Sequence, residues 1–189
     1  IGSFSSGYST SGAVIGAQSD GSMVRGYGTA SGKIYTNGSG STALGYVNSG
    51  VIYTSGAGSL AGGHNVGTGF ISSLGMGSFS YGHAEATGTI TAPGMGAVAV
   101  GSAFGGNTIR SNGIGSFAAG GAIVNSVEAI GNSSIAMGDN VHASGQRSVA
   151  MGFSNVATVD DAIAIGQSCS AGGNNSVALG YQNTASANT

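Results

Sequence analysis

Short apolar stretches recur along the chain, each written as Ser or Ala, a large apolar residue, a small residue, a variable residue and Gly. With the closing Gly as anchor, the phrases end at Gly7, Gly26, Gly45, Gly63, Gly82, Gly101, Gly120, Gly138, Gly152, Gly166 and Gly180. The intervals are long and nearly constant up to Gly138, as from Gly7 to Gly26, and beyond it shorter and constant, as from Gly138 to Gly152. Alternation of large and small residues over so short a run has the period of a β-strand, whose successive side chains point to opposite faces. Gly then permits a tight corner.

Aligned on the anchors, the positions fall into columns. Three residues before the anchor stand Phe4, Met23, Thr42, Leu60, Phe79, Val98, Phe117, Ile135, Val149, Ile163 and Val177, apolar everywhere except Thr42. This column is expected to point into the core. The next column is small (Ser5, Val24, Ala43, Ala61, Ser80, Ala99, Ala118, Ala136, Ala150, Ala164 and Ala178). It is expected to face outward, where small residues allow close approach of another chain. A second apolar column, Ile15, Ile34, Ile52, Ile71, Ile90, Ile109 and Val127, tracks the first through the long repeats. In the short repeats the matching stretch is poorer, with Ala143, Ala157, Ala171 and Ala185 in one column.

Each repeat therefore predicts two short strands joined by Gly, Ser and Asn turns, and the chain predicts an all-β fold, a parallel β-roll or β-solenoid of about eleven coils. Residues 1–131 form its long-repeat part and residues 132–189 its short-repeat part, in one continuous solenoid. At about 4.8 Å per stacked coil the rod is about 50 Å long. Burying a Leu-sized side chain contributes about 1.5–3 kcal/mol, whereas ordering each backbone residue costs about 1–2 kcal/mol. A short coil such as Gln146–Val159, with two or three core side chains, is poorly stabilised alone, so copies are expected to pack side by side.

Composition sharpens this picture. Among 189 residues there are 39 Gly and one Pro, and only 5% are charged, yet 40% are hydrophobic and regularly clustered, which argues for order. A net charge of −2 with four basic residues excludes the electrostatic footprint of a nucleic-acid binder. No apolar run is long enough for a membrane-spanning helix. The sequence opens without Met or a signal peptide and Ile1-Gly2-Ser3 matches the middle of a repeat, so it reads as part of a longer fibre. Cys169 is the single cysteine, which rules out an intrachain disulfide.

The short units Asn132–Gly145, Gln146–Val159, Asp160–Gly173 and Asn174–Ala187 resemble the head repeat of the YadA-like trimeric autotransporter adhesins, and Asn174-Asn-Ser-Val-Ala-Leu-Gly180 is nearly a direct match. The resemblance is close over residues 132–189 and looser over residues 1–131. It implies a left-handed parallel β-roll, three chains associated as a parallel homotrimer, and a head carried on a coiled-coil stalk with a C-terminal outer-membrane anchor, both outside this chain. It also implies an extracellular position on a bacterial surface. The implied partners are host matrix proteins, cell-surface receptors or glycans, bound on an extended surface. The same repeat occurs in phage and viral fibres, so a structural or receptor-binding tail-fibre segment is the alternative. An ice-binding solenoid would need a regular Thr ladder, whereas Thr54, Thr68, Thr87 and Thr91 share no column.

Candidate chemistry is sparse. A Gly-x-Gly-x-x-Ala sequence occurs three times, from Gly56, Gly94 and Gly113, in register with the repeat. A dinucleotide site needs one such loop between a strand and a helix, so these are expected to be turn glycines. His64, His83 and His142 cannot form a local zinc cluster with Cys169, and the scattered acidic residues do not supply a calcium-binding repeat. No catalytic residues, metal or cofactor are expected, and the protein is not expected to be an enzyme. Asp160 and Asp161 are adjacent and expected in a turn, and Arg25 is expected at solvent or in a salt bridge. Immediately after the anchors, Tyr8, Tyr27, Tyr46, His64 and His83 form a column that Phe153 and Tyr181 rejoin. Neighbours should stack one coil apart, and Tyr27, Tyr46, His64 and His83 are the candidate ladder. Such rings suit glycan or protein contact, but packing at a solenoid corner or a seam between chains is the favoured reading, because ring stacking suits any solenoid corner.

Overall fold

The computed structural model describes residues 2–186, and every regular element among them is a strand. The strands alternate along the chain between two parallel sheets of eleven strands each. The first sheet collects the repeated phrases, from Phe4–Ser9 to Val177–Tyr181; the second collects the intervening strands, from Val14–Ala17 to Thr184–Ala185. Anchor pairs with anchor throughout, as in Gly82 with Gly101 and Gly152 with Gly166. The chain is thus an all-β parallel solenoid.

The expected facing of the first sheet is reversed. The small column, from Val24 and Ala43 to Ala164 and Ala178, is the buried one. The large column is half-buried or exposed along its whole length, with Phe4, Met23 and Val177 open to solvent. The cause lies across the roll. Ile34, Ile52, Ile71, Ile90 and Ile109 project inward from the second sheet and are fully buried, as their column predicted. One large side chain per coil fills the narrow interior, so the facing positions must be small. The anchor glycines make room for those isoleucines: a Cβ at Gly101 would stand 2.9 Å from Ile109 Cδ1 and would overlap the Gly120 carbonyl oxygen. The anchors lie inside the first-sheet strands and not at the tight corners the sequence predicts, because what they accommodate is the facing isoleucine and the next strand's carbonyl. Except at Gly26 they take positive φ, between 107° and 157°.

The extra residues of the long repeats widen one side of the roll. First-sheet strands reach eight residues there, as in Leu60–Gly67, and settle at five from Ile135–Asp139 onward. Second-sheet strands shorten from four residues in Lys33–Thr36 to two in Ser170–Ala171. The wider coils gain a further inward column, with Val47, Asn65, Ala84, Ala103 and Ala122 buried. In the narrower coils the Ile column continues as Val141, then Asn155 and Cys169, both buried. Asn155 substitutes hydrogen bonds for apolar bulk. Its amide donates to the carbonyls of Met151 (2.5 Å) and Gly166 (2.7 Å), and its oxygen accepts from the Cys169 N–H (2.7 Å). Cys169 is therefore a small core residue in an Asn position.

At the opposite corner each coil makes a tight turn that ends in Ser or Ala. Buried serines such as Ser59, Ser78 and Ser148 donate their hydroxyls to the carbonyl three residues earlier at 2.7 Å. The same carbonyl accepts their backbone N–H, so the buried hydroxyl is satisfied within the turn. The residue just before that Ser or Ala has φ near +60°: Gly58, Gly96 and Gly115 in the long repeats, Arg147, Asp161 and Asn175 in the short ones. The recurrent Gly-x-Gly-x-x-Ala sequences are these turns.

Candidate functional site

With the interior filled by small residues and isoleucines, recognition falls to the outer surface, made of the outward faces of the two sheets and the turns between them, where Met76, Met95 and Ile114 are also exposed. The two sheet faces differ in chemistry. Three columns line the first sheet's outward face. The first is the large apolar column. The second holds Leu44, Tyr81, Val100, Met137, Met151, Ile165 and Leu179, with Arg25 exposed near its start. The third is the ring column. Apolar groups on this face are exposed toward both ends, as at Phe4 (57%), Met137 (37%) and Leu179 (54%), and half-buried over middle coils such as those of Leu60, Val98 and Phe117.

Structure brings the four candidate residues together. Tyr27 and Tyr46 stack with centroids 5.6 Å apart, Tyr46 and His64 meet at 4.9 Å, and His64 and His83 stack at 5.0 Å. Tyr8 extends the ladder at one end (5.4 Å), and Phe104 closes the other edge-on against His83 (5.5 Å). In-register parallel pairing sets the spacing, since equivalent residues sit one strand apart. The ladder lies on the same face as the two apolar columns and continues that strip.

The second sheet is polar over its later coils, where Thr89, Thr91, Thr108, Arg110, Glu128 and His142 face outward. Glu128 Oε2 and His142 Nδ1 lie 3.2 Å apart on adjacent strands. Asp160 and Asp161 occupy a turn: Asp160 accepts from the Gln146 N–H (2.8 Å), and Asp161 takes both ends of the Arg147 guanidinium at 2.6 Å. That bidentate hydrogen bonding holds the Asp161 carboxyl below its usual range, and charge attraction adds to it; Arg147 is raised for the same reasons.

Over its first coils the second sheet carries an aromatic pair absent from the expected candidates. Tyr35 and Tyr53, paired across adjacent strands, have ring centroids 4.5 Å apart at 33°. The signal lies in the near-identical Lys33-Ile-Tyr-Thr36 and Val51-Ile-Tyr-Thr54, on the strand that does not carry the anchored phrase. Burial, and secondarily the neighbouring Tyr53, raises the Tyr35 phenol above its usual range, so it stays a neutral hydrogen-bond donor.

A family model, the YadA head domain repeat, matches the chain in two copies, at residues 143–168 and 171–189. No curated protein matches the chain.

Proposed function

We propose that the chain, a parallel solenoid whose residues 143–168 and 171–189 match the YadA head domain repeat, is the non-catalytic adhesive head of a trimeric surface fibre, an adhesin-type protein acting outside the cell. Three eleven-coil, left-handed rolls stand parallel with their first sheets toward a common axis. The observation that carries this reading is the apolar strip on the first sheet's outward face, interrupted chiefly by Arg25 and Thr42, set against the polar later coils of the second. Apolar surface on that scale marks an association site, and covering it supplies the burial that coils with Ala-lined interiors lack. The Tyr–His ladder borders the seam, so packing between chains is its favoured role. The second sheet and the turns remain outside, where host matrix proteins, receptors or glycans meet a repetitive surface and weak contacts combine by avidity.

Light scattering on residues 1–189 tests the assembly. The expected mass is about three chains of 17.9 kDa, and Val149→Glu, which puts a charge on the outward strip, is expected to give a folded single chain. A wild-type monomer would overturn the trimer. Adhesion of the trimer to surfaces coated with matrix protein or cell-surface glycans, measured against the Val149→Glu monomer, tests the adhesive role.

A further inference from the structure

The aromatic pair of the second sheet ends abruptly. On the next coil the position aligned with Tyr35 is Gly16, and a Cβ added there would meet nothing within 4 Å. One side of Tyr35 packs on Tyr53, while beyond it, above Gly16, lies a groove of about 210 Å³ bordered by Val14, Gln18, Lys33 and Tyr35. Val14 aligns with Lys33 and Gly16 with Tyr35, so the groove floor is flat sheet and its walls are fixed by strand register. Lys33 and Gln18 are exposed. Among the described residues no carboxylate pairs with Lys33, and none lines the groove.

We propose that this groove is a saccharide site that takes a sugar ring bearing a carboxylate. The proposal rests on the preceding reading in one respect: with the first sheet at the seam, this face stays exposed in the trimer. The apolar C–H face of a sugar ring packs on a tyrosine ring, and its hydroxyls find partners around the edge. Tyr35 supplies such a ring, already immobilised by Tyr53. The Gln18 amide both donates and accepts, matching a hydroxyl. Lys33 offers a compact ammonium with three donors, suited to a single anionic group. One cation in the groove, on a chain with four basic residues and a net charge of −2, does not suit a polysulfated chain, which needs several. The groove is open and shallow, so each site is weak, and three copies on one head supply the avidity.

The test is titration of residues 1–189 with 3′-sialyllactose, lactose and a heparin-derived disaccharide, followed by NMR shifts of the tyrosine rings and by calorimetry. Sialyllactose is expected to bind with a dissociation constant on the order of 1 mM and lactose several-fold more weakly. Lys33→Gln is expected to erase that difference, and Gly16→Tyr, which extends the aromatic stack into open space, to abolish binding with the circular dichroism and mass unchanged. If Gly16→Tyr fails to fold, Tyr53→Ser, which copies the aligned Ser72, serves instead and is expected to weaken binding by loosening Tyr35. Sialyllactose binding that matches lactose, or that survives Gly16→Tyr in a folded protein, overturns the site. Tighter binding of the heparin disaccharide overturns the carboxylate assignment. A trimer that adheres to matrix protein while binding no saccharide overturns this site alone; a monomer that binds sialyllactose overturns the trimeric head and leaves the site standing.

Discussion

Gly101 shows how little freedom a single position has in this fold. Its φ is +138°, and an added Cβ would meet both the Gly120 carbonyl oxygen and Ile109. Gly101→Ala therefore combines backbone strain with a steric clash, and a loss of about 3 kcal/mol or more is expected by urea unfolding. At the corner residue Ser168, φ is +56° and the same conformation is open to glycine without penalty. Ser168→Gly is expected to stabilise by up to about 1 kcal/mol, read as a rise in melting temperature. Asn155 is a sharper case, because three hydrogen bonds converge on one buried amide. Asn155→Ala strands those backbone groups and should cost about 2–4 kcal/mol, whereas Asn155→Cys, which copies the aligned Cys169, should cost less in the same unfolding measurement.

Turns and strands carry the next level of stability. The bidentate Arg147–Asp161 pair ties two successive turns together at a residue with positive φ. Asp161 has a folded-state carboxyl below its ordinary value of 3.8, so its contribution is present above that value and is lost as pH falls through the lower, folded-state one. The melting-temperature difference between wild type and Asp161→Asn should be visible at neutral pH and vanish in acid, and it should shrink with salt because both groups face solvent. Strand length is also set at this scale. The extra residues of each long coil lengthen the first-sheet strand and build the inward column of Val47, Ala84 and Ala103, so the step in spacing at Gly138 is a step in the width of the roll.

Over the whole molecule, the repeated phrase determined a great deal by itself. Two strands per coil, in-register parallel pairing and the ring ladder all follow from the regular anchor spacing, because a parallel stack places equivalent residues one strand apart. Sequence also indicated the buried Ile column. Which face of the first sheet turns inward was decided by tertiary structure. Alternation has a period of two and is satisfied by either orientation, and the usual preference for large apolar residues inside selected Phe79, Val98 and Phe117 for the core. The opposing sheet reverses that choice: Ile71, Ile90 and Ile109 already fill a narrow interior, leaving space only for Ser80, Ala99 and Ala118. The same holds for Cys169, whose place in the Ile column appears only once Ala143 and Ala129 are paired, and for Tyr35, whose open side depends on Gly16 one coil away. Periodicity fixes what stacks on what; the distance between the two sheets fixes which side of each strand is the inside.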